Sequence, residues 1–235
     1  MFETTINEGV LRLQREGTHW LSTGWNGGFW RGETAYNVSV ADGWDRTDLE
    51  TYVSERRQRA GFEREGPTLL TGVDLEHARG ARYGPVEVYT TAGVSNPAAL
   101  PMVSDTVTGD TWVTSDEHPG TGTVNLLVGA ARALDEAALS NMLSVAVEAK
   151  AATLLSETGF PGTTTDAVIV ACDPSSEPIE FTGSATEVGA AVRACVRDAV
   201  RASLASRYPD GEYPPTVEAA EYGVSTDFHS EVFSP

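Results

Sequence analysis

Apolar and polar positions alternate along the first part of the chain. "VLRLQREG" (10–17) has the period of two of a half-buried strand, and "THWLSTGWNGGF" (18–29) reads as a second strand ending in a glycine-rich loop. Gly17 between them predicts a turn, so the pair is expected to form a hairpin. "TAYNVSV" (34–40) alternates again. Thr47 with Glu50 has the spacing of a capping box and predicts a helix over 48–60, stopped by Gly61. "PTLLTGVDLEHARG" (67–80) reads as a short strand, a turn and a helical piece. "PVEVYTTAGVSNP" (85–97) is a strand running into a loop, and "GTVNLLVGA" (122–130) is another strand.

From there the period changes. Asp135 is placed to cap a long helix over 136–157, with Gly159 at its end. "TTTDAVIVAC" (163–172) is short and almost wholly apolar after its threonines, the pattern of a buried strand. Ser184 and Glu187 repeat the capping-box spacing and predict a helix over 185–205. Arg193, Arg197 and Arg201 stand four apart on it as a solvated ridge. Hairpin-like pairs early and strand–helix alternation late predict an α/β fold with a mixed sheet packed by helices, in a single domain over 1–207. Residues 208–235, rich in proline and acidic side chains, predict an irregular C-terminal tail.

Composition narrows the partners. The net charge is −18 across 235 residues, a field that repels nucleic acid and anionic lipid alike. No apolar run is long enough to span a membrane, and "MFETTINEGVLRLQREG" has no basic and apolar leader pattern. Cys172 and Cys195 lie in apolar segments and read as buried small hydrophobes in a reducing compartment. The expected location is the cytoplasm, and a homo-oligomer is left open. Lys150 is the lone lysine beside fifteen arginines. With the acidity, this points to a protein kept soluble at high salt, although a GC-rich genome also favours arginine.

Several familiar chemistries find no support. His19, His77, His118 and His229 are far apart, no C-x-x-C is present, and a protein-held metal is not expected. "GWNGGF" is not a dinucleotide fingerprint, and neither a P-loop nor a G-x-S-x-G elbow occurs. What remains is a set of polar clusters beside strands. Asn26, Gly27 and Gly28 would let a backbone approach a ligand, though Asn-Gly is more often a plain turn. In "TTAGVSNP" (90–97), Thr90, Gly93 and Asn96 form a loop whose N–H groups suit an oxyanion, or merely a cap. Asn125, inside the apolar "TVNLLV" that follows Gly120 and Thr121, must be satisfied in the core or face a site.

The fourth cluster surrounds Lys150. On a helix of about 100° per residue, Glu148 falls on a polar row and Lys150 on the apolar row of Leu143, Val147 and Leu154. The two charges are about 200° apart and do not pair. A lysine on an apolar row needs a carboxylate or must snorkel out, and Asp166, after Thr163, Thr164 and Thr165, is the expected partner. A structural buried ion pair and a catalytic one are both open readings of that pairing.

Read in order, "NGG" (26–28), "LLTG" (69–72), "TTAGVSNP" (90–97), "GTVNLLV" (122–128), "VEAKAATL" (147–154), "GTTTDAVIVA" (162–171) and "FTGSATEVG" (181–189) resemble the adenosylcobinamide amidohydrolase (CbiZ) family. The likeness covers about residues 8–205, and the acidic, lysine-poor composition fits a halophilic archaeon. It implies hydrolysis of the amide joining the corrin side chain to aminopropanol, giving adenosylcobyric acid and 1-aminopropan-2-ol for corrinoid salvage in cobalamin biosynthesis. It implies a small-molecule corrinoid substrate and no cofactor, the cobalt being part of the substrate. The positions matching the family's recurring residues are Asn26, Gly27, Gly28, Thr90, Gly93, Asn96, Asn125, Glu148, Lys150, Thr165 and Asp166.

Amide hydrolysis needs a nucleophile, a stabilised oxyanion and a proton for the leaving amine. Glu148 or Asp166 is the candidate base for water, with Lys150 holding that carboxylate or facing the oxyanion. A Thr165 hydroxyl acting as nucleophile is the other route. Asn96, Asn125 and loop N–H groups would complete the oxyanion hole. Trp20, Trp25 and Trp30 would flank the corrin or the adenosyl group, or simply fill the core. A non-catalytic corrinoid- or nucleotide-binding protein is the alternative reading of the same loops.

Overall fold

The computed structural model describes residues 1–41, 47–102, 122–175 and 177–235. His118, Gly120 and Thr121 lie outside the described residues. Strand β2 (Val10–Ser22) is the spine of the fold. Its first half pairs with β1 (Glu3–Asn7) and its second half with β9 (Ala167–Cys172), while β3 (Gly28–Ser39) runs along its other side throughout. The handover falls at an irregularity between Gln14 and Thr18. Gly17 sits there with φ of +70°, which glycine adopts without the steric cost of a Cβ. Gly17 is therefore a bulge inside one long strand, not the turn that alternation predicts. The β2–β3 turn lies at 23–27, and a second tight turn through Glu8 and Gly9, both at positive φ, joins β1 to β2.

The main sheet runs β4–β3–β2–β9–β8–β6–β5, with β1 beside β2. Here β4 is Thr68–Thr71, β5 Arg79–Tyr83, β6 Val86–Ala92 and β8 Val124–Ala130. β3 and β4 are parallel across helix α1 (Leu49–Arg59), and β8 and β9 are parallel across α2 (Glu136–Thr158). The other pairs in this sheet are antiparallel, so it is mixed as expected.

Side-chain alternation assigns the two faces. Val124, Leu126, Val128, Val168 and Val170 join α2 and α3 (Glu187–Arg207) in the largest core cluster. Leu127, Ile169 and Ala171 point to the opposite face, where they meet Leu11, Leu13, Trp20, Ala35 and Leu69. The β3–β4 end of the sheet therefore curls over its own centre. The outer side of that flap, with Tyr36 and Val38, is covered by Tyr52 of α1, and Phe62 after the helix joins the same cluster. Cys172 and Cys195 are free and buried, and burial pushes both thiols up, which keeps them inert.

Helix boundaries follow the local signals with two corrections. Asp135 caps α2, accepting from the Ala138 amide at 2.7 Å, and Gly159 closes it at φ +81°. The cap of α1 is Asp48 rather than Thr47, and that of α3 is Thr186 rather than Ser184. In each case a residue nearer the first turn reaches the third helical amide, Thr51 or Gly189, and displaces the expected cap. The tail after α3 is irregular apart from β10 (Val224–Ser225), which pairs with β7 (Ala98–Ala99). Amides of Tyr222 and Val224 bond to the carbonyls of Ser95 and Pro97, so the tail straps the 94–99 loop. No helix among the described residues is long and apolar enough to cross a membrane.

Candidate active site

The starts of β8 and β9, the end of β6 and the end of β2 meet at one end of the sheet. Asp166 is at its centre. Lys150, buried on α2, donates to its Oδ2. The Thr163 amide reaches the same oxygen at 3.1 Å. The Val124 amide and the Thr163 hydroxyl reach Oδ1 at 2.9 and 2.6 Å. A carboxylate offers about four lone-pair positions, and here all are taken. The predicted pairing of Lys150 with Asp166 is found, but of the apolar row assigned to the lysine only Leu154 is buried, Leu143 being half-buried and Val147 exposed. The saturation of Asp166, however, leaves no lone pair to accept a proton from water, so the structure does not support it as the base. It pins α2, the threonine turn and β8 together.

Glu148 is not brought into this cluster. It lies on the solvent side of α2, 63% exposed at the side chain, with Arg193 of α3 at 3.5 Å. The small polar row that the helical wheel gave it faces water, so Glu148 stands away from Lys150 and Asp166 and the geometry does not support it as the base. The ridge of Arg193, Arg197 and Arg201 is solvated as expected, with Glu148, Asp198 and Glu157 as partners. It borders a shallow hollow of about 560 Å³ on the outer side of the helix layer, floored by Ala149, Ala152 and Ala190.

Polar side chains cluster beside the Asp166 pin. Asn96 donates to the Thr164 hydroxyl at 2.7 Å and more weakly to Thr165 at 3.4 Å. The Thr165 hydroxyl donates to the Gly122 carbonyl at 3.0 Å, and the Thr123 hydroxyl to the Thr165 carbonyl at 2.9 Å. Thr164 is exposed and its hydroxyl accepts from Asn96, which leaves its own proton to donate outward. Thr165, spending its proton on a carbonyl, is arranged as a positioning group, and among the described residues no base adjoins its hydroxyl.

Asn125 belongs to a separate, fully buried network on the inner face of the curl. Its amide nitrogen donates to Asn37 Oδ1 and to the Leu70 carbonyl, both at 2.8 Å. Asn37 donates to Thr91 at 3.0 Å, and Thr91 to Thr71 at 3.3 Å. Asn37, Thr91 and Asn125 are all 0% exposed, so the core role of Asn125 prevails over the oxyanion role. Thr90, a position matched to the family pattern, does not face this network. It shares the parity of Val88 and Ala92, faces the helices, and donates to the Asn125 carbonyl at 2.7 Å. Gly93 is also interior, its missing Cβ leaving space that Val73 and Arg207 take up at 2.8 and 3.1 Å. Sequence reading missed Asn37, although it interrupts the apolar run of its strand as Asn125 does.

The turn at 23–27 closes the same end of the sheet. Thr23 is tied through its amide and hydroxyl to Val168, two residues beyond Asp166. Asn26 has φ of +51° and Gly28 +99°. Gly27 lies so close to the Ser22 carbonyl that a Cβ would sit 2.5 Å away. All three are exposed. Trp20 is core, its indole N–H bonded to the Gly32 carbonyl. Trp25 and Trp30 instead line a cleft with Asn26 and residues of α1. Among the described residues no three His, Cys, Asp or Glu side chains gather as a metal site.

Comparison with known proteins accords with the resemblance read from the clusters. The family model described as adenosylcobinamide amidohydrolase matches residues 2–212. An adenosylcobinamide amidohydrolase of Halobacterium salinarum is 56% identical over 237 aligned residues, covering all of both chains. One of Methanosarcina mazei is 30% identical over 197, covering 80% of this chain and 90% of its own. No solved structure matches. With the model spanning nearly the whole domain and one relative aligned from end to end, this chain belongs to the adenosylcobinamide amidohydrolase family.

Proposed function

We infer that this chain hydrolyses the amide between the corrin side chain of adenosylcobinamide and aminopropanol. Water adds to the carbonyl carbon, the C–N bond breaks, and the amine leaves as 1-aminopropan-2-ol with a proton. Adenosylcobyric acid remains and re-enters cobalamin biosynthesis. The observation that carries this reading is the end-to-end identity with the Halobacterium salinarum enzyme. The acidic, lysine-poor composition is in keeping with that relative's source, and we place the reaction in the cytoplasm.

The polar end of the sheet supports particular roles. The outward hydroxyl of Thr164, with Asn96 and Thr165 behind it, is suited to hold the amide carbonyl as charge develops on its oxygen. Lys150, Asp166 and Thr163 act as the frame that holds the threonine turn in place. Asn26, Gly27 and Gly28 supply an exposed turn for the substrate's periphery. We assign the cobalt to the substrate and no resident cofactor to the protein. The test is to incubate the protein with adenosylcobinamide in concentrated KCl and to measure adenosylcobyric acid and free aminopropanol. Formation of both is expected. Intact substrate, with tight binding seen as a spectral shift, would make the chain a corrinoid-binding protein.

A further inference from the structure

We propose that the cleft between the 23–27 turn and α1 is a subsite for the purine of the adenosyl group. This rests on the amidohydrolase reading. The cleft measures about 130 Å³, well short of the roughly 300–1,000 Å³ of a pocket that engulfs a drug-sized ligand. A corrin ring cannot enter it, whereas a single flat heterocycle can. Of the groups the substrate carries, the adenosyl base is the aromatic one.

The lining has the chemistry a purine needs. Trp25 and Trp30 are half-buried there, and the Trp30 indole is held by a hydrogen bond from Nε1 to the Asn26 carbonyl at 3.1 Å. Indole faces stack on nucleobases irrespective of base identity. Arg57 of α1 lines the same cleft, is 8% exposed, and has a buried Nε with no hydrogen-bond partner among the described residues. That nitrogen is sealed from solvent, so what Arg57 offers the cleft is its terminal guanidinium nitrogens, donors from which a purine ring nitrogen would accept. Glu65 stands 3.6 Å from the Arg57 guanidinium and is largely exposed. Its carboxylate would accept from the exocyclic amine.

Position fits as well. The turn carrying Trp25 is bonded through Thr23 to Val168, on the strand that begins just after the threonine run. A base held in the cleft would anchor the corrinoid at the same end of the sheet as Thr164.

The test has two arms. In the first, adenosine is titrated into the wild-type protein and tryptophan fluorescence is read. Saturable quenching is expected, weakened by Arg57→Met. In the second, Trp25→Ala and Trp30→Ala are assayed with adenosylcobinamide and with cobinamide lacking the adenosyl group, after their melting midpoints show that they fold. The loss of kcat/KM with the adenosylated substrate should exceed that with the other by roughly ten- to a hundredfold, carried by KM. Equal losses on both substrates, or no adenosine binding to the wild type, would overturn the subsite. Failure of the wild type to hydrolyse either corrinoid would overturn the amidohydrolase reading instead, and the adenosine titration would still decide whether the cleft takes a purine.

Discussion

Glu148 and Lys150 stand two residues apart on one helix and live in opposite electrostatic worlds. The lysine is sealed against the sheet with a carboxylate whose every lone pair is in use. The glutamate reaches into water toward an arginine that is itself 46% exposed. A helix that packs one side onto a sheet gives two such neighbours different dielectric surroundings, and the strength of an ion pair follows the surroundings more than the distance. Charged residues adjacent in sequence are therefore poor evidence for a shared site unless the helical phase brings them together.

The sharpest way to break this contrast is to remove one member of the buried pair. Asp166→Leu should cost about 3–5 kcal/mol in unfolding free energy, because it orphans an ammonium and three further donors in the interior. Lys150→Met should cost less, since the remaining carboxylate keeps the Thr163 and Val124 donors. Denaturant midpoints of both variants should fall by amounts nearly independent of KCl concentration, as a buried pair is little screened. A larger loss for Lys150→Met than for Asp166→Leu would contradict the pin. The next effect concerns the amide network inside the curl. Asn125→Ala removes the donor to both Asn37 and the Leu70 carbonyl, and should cost about 1–3 kcal/mol. An unfolding midpoint equal to that of the wild type would show that these two hydrogen bonds do not contribute to stability.

These two sites also measure what was legible beforehand. The α2 helix, its Asp135 cap, its Gly159 stop and the face carrying Lys150 follow from a period of 3.6 and local capping chemistry, both written in adjacent residues. The partner Asp166 was accessible because a charge on an apolar row has few alternatives. The saturation of Asp166 was not, because two of its donors are backbone amides and one of these belongs to β8, remote in sequence. The curl of the β3–β4 flap over β8 depends on sheet twist and long-range pairing, and it alone brings Asn37 to Asn125. Which of Thr90 and Thr91 faces the curl depends on the strand's parity, which burial on both faces hides. Gly17 shows the same limit: a glycine at positive φ suits a turn or a bulge, and only the neighbouring strands decide which.

A smaller effect is expected at the far end of β9. Asp173 is buried enough for desolvation to push its carboxyl up. Hydrogen bonds with Ser175 and the nearby Arg15 guanidinium outweigh that and hold it below the usual aspartate range. A carboxyl depressed in the folded state stabilises the protein above its unfolded pKa, and that contribution is lost as pH falls through the folded pKa. The midpoint should thus be insensitive to Asp173 between pH 7 and about 5 and should decline below about 4. Asp173→Asn should flatten that decline. An unaltered acid limb in the variant would show that Asp173 does not contribute to it.

The smallest expected change returns to the helix where the contrast began. Glu148→Gln removes an exposed charge whose partner keeps full access to water, so stability should shift by no more than about 0.5 kcal/mol. Turnover of adenosylcobinamide should stay within about twofold of the wild type, where a general base replaced by its amide would lose about two orders of magnitude. The sign of any stability change should also depend on salt. At low ionic strength, removing one of many negative charges from a chain of net charge −18 relieves repulsion and opposes the loss of the Arg193 contact. In concentrated KCl both terms are screened and the variant should match the wild type. A hundredfold fall in turnover at unchanged stability would place Glu148 in the chemistry after all, and would require α2 to present its solvent face to the substrate.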